Sequence, residues 1–217
     1  MVLLFQWFSI GNVGSYLKYE AKLSCPISSY LSDTVLVASN IPKIVEDFIP
    51  FMEQELLYED SFAISKTELA YCLLAISLSE GSRQSYHGAV AFQSILVRKG
   101  NNAFGIKGNG LNLETKEYVN GRYISIIDGF ASFKSFEESL KYISTMFAKN
   151  KRYKKALKAI TGEAFLDELQ KAGYATSPDW FYKFTTPTYR KIKANDKREK
   201  SFSWTVIYRP RYTKESN

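Results

Sequence analysis

The chain has 217 residues, 45% hydrophobic and 24% charged, with a formal net charge of +7 and a pI near 9.2. That is enough for one domain of ordinary size plus extensions, and the balance is that of a globular protein rather than a disordered or fibrous one. Such a positive field favours anionic partners, whether nucleic acid, a membrane surface or a bacterial wall rich in carboxylates and phosphates, without choosing among them. No apolar run approaches the roughly 20 residues that span a bilayer. The opening MVLLFQWFSIGNVGS is apolar, but it has no Lys or Arg before Lys18 and no Ala-x-Ala site, so it makes a poor signal peptide. Cys25 and Cys72 have neither a metal-ligand spacing nor the number for a disulfide scaffold, and they read as free buried thiols.

Residues 1–38 show no clear period and read as an extension. From Asn40, Ile41, Ile44, Val45, Phe48 and Met52 recur at helical spacing, with a kink expected at Pro50. Ser65-x-x-Glu68 is a capping box that opens a second helix, on which Leu69, Leu73 and Ile76 form one stripe. A further helix is expected around Val90 to Val97. NNAFGIKGNG, residues 101–110, then reads as a loop that carries Phe104 and Ile106 in its middle. The apolar pair has two readings, a plug into the core or the wall of a cleft.

Asn120-Gly121 between two β-rich runs is a strong hairpin signal. In that register Glu117 lies opposite Ile124 and shares a face with Thr115, Val119, Arg122 and Ile126. Three helices are expected next. One follows the Ser135-x-x-Glu138 capping box and buries Leu140, Ile143 and Phe147. A basic one runs through RYKKALKAI, and a third, EAFLDELQKA, ends at Gly173. Ser177-Pro178 reads as the start of another helix, interrupted at Pro187. SFSWTVIYRPRY alternates as a strand. The fold class is α+β, mostly α, with one central hairpin.

Two carboxylates stand out. Glu80 returns to nearly the same helical angle as Leu69, Leu73 and Ile76. It is either snorkelling outward or held where desolvation raises its pKa and lets it act as a general acid on a glycosidic oxygen. Glu117 points along a largely apolar hairpin face. It is either an ion pair with Arg122 or the second carboxylate of a glycosidase site. His87 is the only histidine, and Cys72 reads as core, which argues against nucleophilic catalysis. There is no phosphate loop or zinc spacing, and no cofactor is expected. The basic run NKRYKKALKAI reads as a solvated face rather than a nucleic-acid site.

Five blocks, in order, resemble glycoside hydrolase family 73, the bacterial peptidoglycan N-acetylglucosaminidases of the lysozyme-like superfamily. NNAFGIKG resembles the signature Asn-Asn-x-Phe-Gly-Ile-Lys-Gly. LAISLSEG is similar to the block that carries the catalytic Glu, here Glu80. TKEYVNG is similar to the Thr-x-Glu-Tyr hairpin, with Glu117 as the second carboxylate. FASFKSFEESL and AGYATSPDW resemble the remaining two. The resemblance covers roughly Ile44 to Lys193.

It implies a lysozyme-like domain over residues 39–195, with a helical lobe and a β-hairpin lobe flanking a cleft. The activity implied is hydrolysis of the β-1,4 bond after N-acetylglucosamine. Glu80 would be the general acid, Glu117 the base or stabiliser, and Tyr174 a further residue of the catalytic site. Asn101, Asn102, Phe104, Lys107 and Thr176 would contact the sugars. The partner implied is peptidoglycan glycan, with no nucleic acid and no membrane span. The place of action is the cell wall, whether periplasmic, secreted or virion-associated.

Two departures from the family stand out. Gly81-Ser82-Arg83-Gln84 follows Glu80 where the family has Ser-Gly-Trp-Gly, and Ser177 stands where Asp is usual. With the extensions 1–38 and 196–217, these departures keep open one alternative, a weakened glycan-binding or structural component of a phage injection or secretion apparatus. A lytic transglycosylase is the other alternative. The two ends are expected either to pack together beside the domain or to attach it to a larger assembly.

Overall fold

One helix is buried on every side, and the rest of the fold is arranged around it. A computed structural model describes residues 23–27, 37–85 and 88–198. Helix α2, Lys66–Gly81, buries every residue from Leu69 to Leu78. The single stripe read from the sequence is therefore an underestimate. A helix that is apolar all round is a core helix, not a surface one. Ser65 caps it, accepting from the Glu68 N–H at 3.1 Å. The Glu68 side chain does not close the expected box. It accepts instead from the Gly162 N–H at 3.0 Å and the Tyr189 hydroxyl at 2.5 Å, and it pairs with Lys193.

Helix α1, Val37–Glu55, packs on α2 through Ile44, Phe48 and Met52, all fully buried. It starts earlier than Asn40, and its helical pattern continues through Pro50. A short hairpin, β1 (Arg83–Ser85) and β2 (Gly88–Val90), follows α2 where no strand is expected from the sequence. The helix expected around Val90 is shifted to α3, Ile95–Gly100, because Ser94 caps it and Phe92 takes a left-handed φ of 55°. His87 lies outside the described residues.

The central hairpin forms as expected. Strands β3 (Gly110–Val119) and β4 (Arg122–Ala131) pair antiparallel with Glu117 opposite Ile124. Asn120 and Gly121 both have positive φ, 51° and 83°, the geometry of a type I′ turn. Helix α4, Phe136–Lys149, is capped by Ser135 and buries Leu140, Ile143 and Phe147.

The basic run is not a helix. It forms two 3₁₀ turns, Lys151–Tyr153 and Ala156–Lys158. Asn150 accepts from the Arg152 N–H at 3.0 Å and starts the first turn. Lys151 and Lys155, like Lys154 and Lys158, would repel at helical i,i+4 spacing. Helix α5, Gly162–Lys171, ends near Gly173, whose φ of 70° suits only glycine well. A π-helical turn, Phe181–Thr185, then leads into α6, Thr186–Asn195. Pro187 lies in the first turn of α6, where its missing N–H costs nothing, so it opens a helix rather than interrupting one.

The domain's contacts run past the boundaries expected at residues 39 and 195. Ile27 is buried in the core, and the Leu23 N–H reaches Gln54 Oε1 at 2.7 Å. At the other end, Asp196 is buried and accepts from the Tyr71 hydroxyl at 2.9 Å, while Arg198 pairs with Glu53 at 2.8 Å. The strand expected within 202–208 lies outside the described residues. Among the described residues, no helix is long and apolar enough to cross a membrane.

Candidate active site

Helix α2 ends at a cleft of about 660 Å³ between the helical body and the β3–β4 hairpin. Glu80, one residue from the helix end, is partly buried at its floor. Its pKa is raised to about 7, first by burial and further by the charge of Glu117. Of the two readings of Glu80, the desolvated one holds. Backbone makes the room. Gly105 has a φ of 65°, which favours glycine, and a Cβ there would crowd Glu80 Oε2 at 3.0 Å.

Lys107 and the Trp180 indole N–H pull the Glu80 pKa the other way. The Trp180 nitrogen is buried and completes no hydrogen bond with any described residue. Trp180 and Glu80 line the same cleft.

Glu117 faces the cleft from β3. The partner expected was Arg122, but the partners found are Lys107 and Thr176. Lys107 Nζ lies 2.7 Å from Glu117 Oε1, and the Thr176 hydroxyl donates to Oε2 at 2.6 Å. The reason is tertiary. The loop through Lys107 pairs its backbone with β4, forming a bridge with Phe130, and this brings the ammonium to Glu117. Lys107 also pairs with Asp128 at 2.8 Å and lies 4.1 Å over the Phe130 ring. Burial lowers the Lys107 pKa, but its bonds to Asp128 and Glu117 outweigh that and raise it.

Tyr174 lines the cleft, and its hydroxyl donates to the Phe104 carbonyl at 2.6 Å. Burial, with the charge of Glu80, pushes that hydroxyl's pKa well up. Thr176, just beyond, also accepts from the Tyr118 N–H at 3.3 Å, and Tyr123 shares a 2.7 Å hydrogen bond with Ser177. The segment after α5 is thus tied to the hairpin at two points. Ser177 also donates to Asp179 Oδ1 at 3.1 Å, so a carboxylate stands two positions along from where the family carries its Asp.

Two expected sugar contacts are corrected. Asn102 is fully buried. Its amide donates to the Ile106 and Ala131 carbonyls at 2.9 Å each, and its Oδ1 accepts from the Ile106 N–H at 3.0 Å. Asn101 takes a left-handed φ of 48° to end α3, and its amide donates to the Phe133 carbonyl at 3.0 Å. Both asparagines hold the loop, and neither lines the cleft. Phe104 is divided. Its ring is 1% exposed and stacks on Phe136 at 5.8 Å, so the ring is the core plug. Its backbone carbonyl anchors Tyr174, and the residue borders the cleft from below.

Cleft residues that the sequence reading passed over are Trp180, Asp128, Phe130 and Tyr123. Trp180 stood within AGYATSPDW and could have been weighed there. Asp128 had no local signal, because its partner Lys107 is brought to it by the loop's pairing with β4. Among the described residues, no group of three or more His, Cys, Asp or Glu side chains converges as a metal site.

The chain is similar to known proteins. The chain is 40% identical over 86 residues to Peptidoglycan hydrolase FlgJ of Pseudomonas aeruginosa, covering 36% of this chain and 22% of that protein. It is 28% identical over 169 residues to Peptidoglycan hydrolase FlgJ of Escherichia coli strain K12, covering 69% and 54%. The chain thus spans about half, or less, of the length of these relatives. A solved peptidoglycan hydrolase mutant from Sphingomonas sp. A1 superposes with a TM-score of 0.50 at 22% identity, over 73% of this chain and 96% of that one, a likeness of fold. Residues 73–193, more than half of the chain, match the glucosaminidase family, described as mannosyl-glycoprotein endo-beta-N-acetylglucosaminidase. With Glu80 and the cleft-facing hairpin both inside that match, the chain belongs to the glucosaminidase family.

Proposed function

We propose that this chain hydrolyses the β-1,4 bond after N-acetylglucosamine in peptidoglycan glycan, acting at the cell wall. The observation that carries the reading is Glu80, a carboxyl with a pKa of about 7 at the floor of an open cleft. Near neutral pH about half of such a group holds a transferable proton, the condition general acid catalysis needs. Glu80 gives that proton to the glycosidic oxygen as the bond from C1 breaks. Water adds its oxygen to C1, and its proton passes to Glu117 in the role of base; alternatively Glu117 stabilises the oxocarbenium charge. Lys107 and Thr176 hold Glu117, while Tyr174 buttresses the loop through Phe104. The substrate class is supported by the relatives named peptidoglycan hydrolases.

The test is digestion of purified peptidoglycan, borohydride reduction and mass analysis of the new ends. Hydrolysis after N-acetylglucosamine gives reduced N-acetylglucosamine ends. Anhydromuramyl ends would replace this reading with lytic transglycosylation. Binding without any new ends would leave a glycan-binding component.

A further inference from the structure

The indole N–H of Trp180 is buried with no acceptor among the described residues. Burying such a donor unused is unfavourable, so its place calls for an explanation. Trp180 is held from several sides. Its ring packs at the core's edge and tilts against Phe184 at 4.6 Å. Its segment is pinned by Gln170 of α5, which donates to the Ser177 carbonyl at 2.9 Å and accepts from the Phe181 N–H at 3.1 Å. Trp180 also introduces the π-helical turn, a backbone form often found at functional sites.

Trp180 and Glu80 line the same cleft. Once Glu80 has given up its proton, a carboxylate remains in a desolvated place and needs a donor. Two of the other side-chain donors there are engaged. Tyr174 donates to the Phe104 carbonyl at 2.6 Å, and Lys107 is shared between Glu117 and Asp128. We infer that Trp180 is a positioning residue whose indole N–H closes onto the Glu80 carboxylate after proton transfer, fixing the acid's orientation and proton affinity. The inference rests on the reading of Glu80 as the general acid. The lowering pull of Trp180 on Glu80 agrees with it.

Other charged and titratable groups line the cleft with Glu80. They are Glu117 and Lys116 from β3, Lys107 from the preceding loop, Tyr174 and Asp179 from the segment after α5, and Lys183 of the π-helical turn. Asp128 acts through Lys107. All stay in place when only the indole N–H is removed.

The experiment compares the full chain with Trp180→Phe, and with benzothienylalanine at position 180, which keeps the bicyclic shape and lacks the N–H. The acid must be protonated to work, so activity falls as pH rises through its pKa. Losing the donor raises that pKa. The alkaline limb of the kcat profile on peptidoglycan should therefore move up by about one to two pH units, with kcat reduced about tenfold or more and KM little changed. In parallel, infrared titration of the Glu80 carboxyl, isolated by subtracting Glu80→Gln spectra, should show the same upward shift. An unmoved carboxyl titration in the benzothienylalanine protein would overturn the inference, whatever the activity. If wild type does not cleave glycan yet the carboxyl titration moves, the Trp180 contact stands and the catalytic reading fails by itself.

Discussion

Glu80 is unfavourable to the fold in its ionised form, and that can be measured without any substrate. Its folded pKa of about 7 lies above the ordinary carboxyl value, so the folded state binds the proton more tightly than the unfolded chain. The sign follows directly. Folding loses stability as pH rises from the unfolded value through 7, and the penalty is complete above it. Glu80→Gln removes the penalty. The variant should be more stable than wild type at pH 8 by roughly 1–3 kcal/mol, with the gap closing near pH 4. Chemical denaturation at the two pH values checks this, and equal stability at pH 8 would mean that the carboxyl is solvated. The sequence already held half of this result, because Glu80 shares the helical angle of Leu69, Leu73 and Ile76. It did not hold the tertiary neighbourhood, in which Gly105, from a loop 25 residues away, leaves open the space beside Oε2 that a Cβ would fill.

At the scale of elements, the hairpin is the better example of what a sequence can and cannot carry. Its turn and register are local, so Asn120-Gly121 sufficed to pair Glu117 with Ile124. Its partners are not local. Arg122 is near in sequence, yet Lys107 reaches Glu117 because the preceding loop pairs with β4, and Thr176 reaches it from beyond α5. The basic run failed for a related reason. Its apolar residues suggested a helix, but the Asn150 cap and repelling lysines give 3₁₀ turns. Since Glu117 fastens the hairpin to the loop and to the segment after α5, Glu117→Gln should weaken both structure and chemistry. A loss of about 1–3 kcal/mol in stability is expected from disturbing charge-assisted bonds. Turnover per folded molecule should also fall at least about tenfold, since base catalysis is typically worth more than that. A stability loss with unchanged turnover would make Glu117 a fastening alone.

Taken as a whole molecule, the domain reaches beyond the span that the resemblance covered. Ile27 is part of the core, and Asp196 and Arg198 bind Tyr71 and Glu53. The sequence could not give these ends, because single contacts at a chain's periphery leave no periodic pattern. Removing residues 1–22 and 199–217 should leave cleavage of soluble glycan fragments within about twofold of the full chain, because the described core contacts and the catalytic cleft lie between them. Extending the cuts past Ile27 and Asp196 should lower the unfolding midpoint. A truncated protein that folds but does not cleave would bring the ends into the active site. The proposed activity nevertheless turns on one proton on one carboxyl. Its most direct measurement is release of new reducing ends from purified peptidoglycan by wild type and by Glu80→Gln, at neutral pH and equal folded concentration. Reduced N-acetylglucosamine ends are expected with wild type and a loss of about 10²–10⁴ in rate with the variant, while a variant retaining more than about half of the wild-type rate would rule Glu80 out as the general acid.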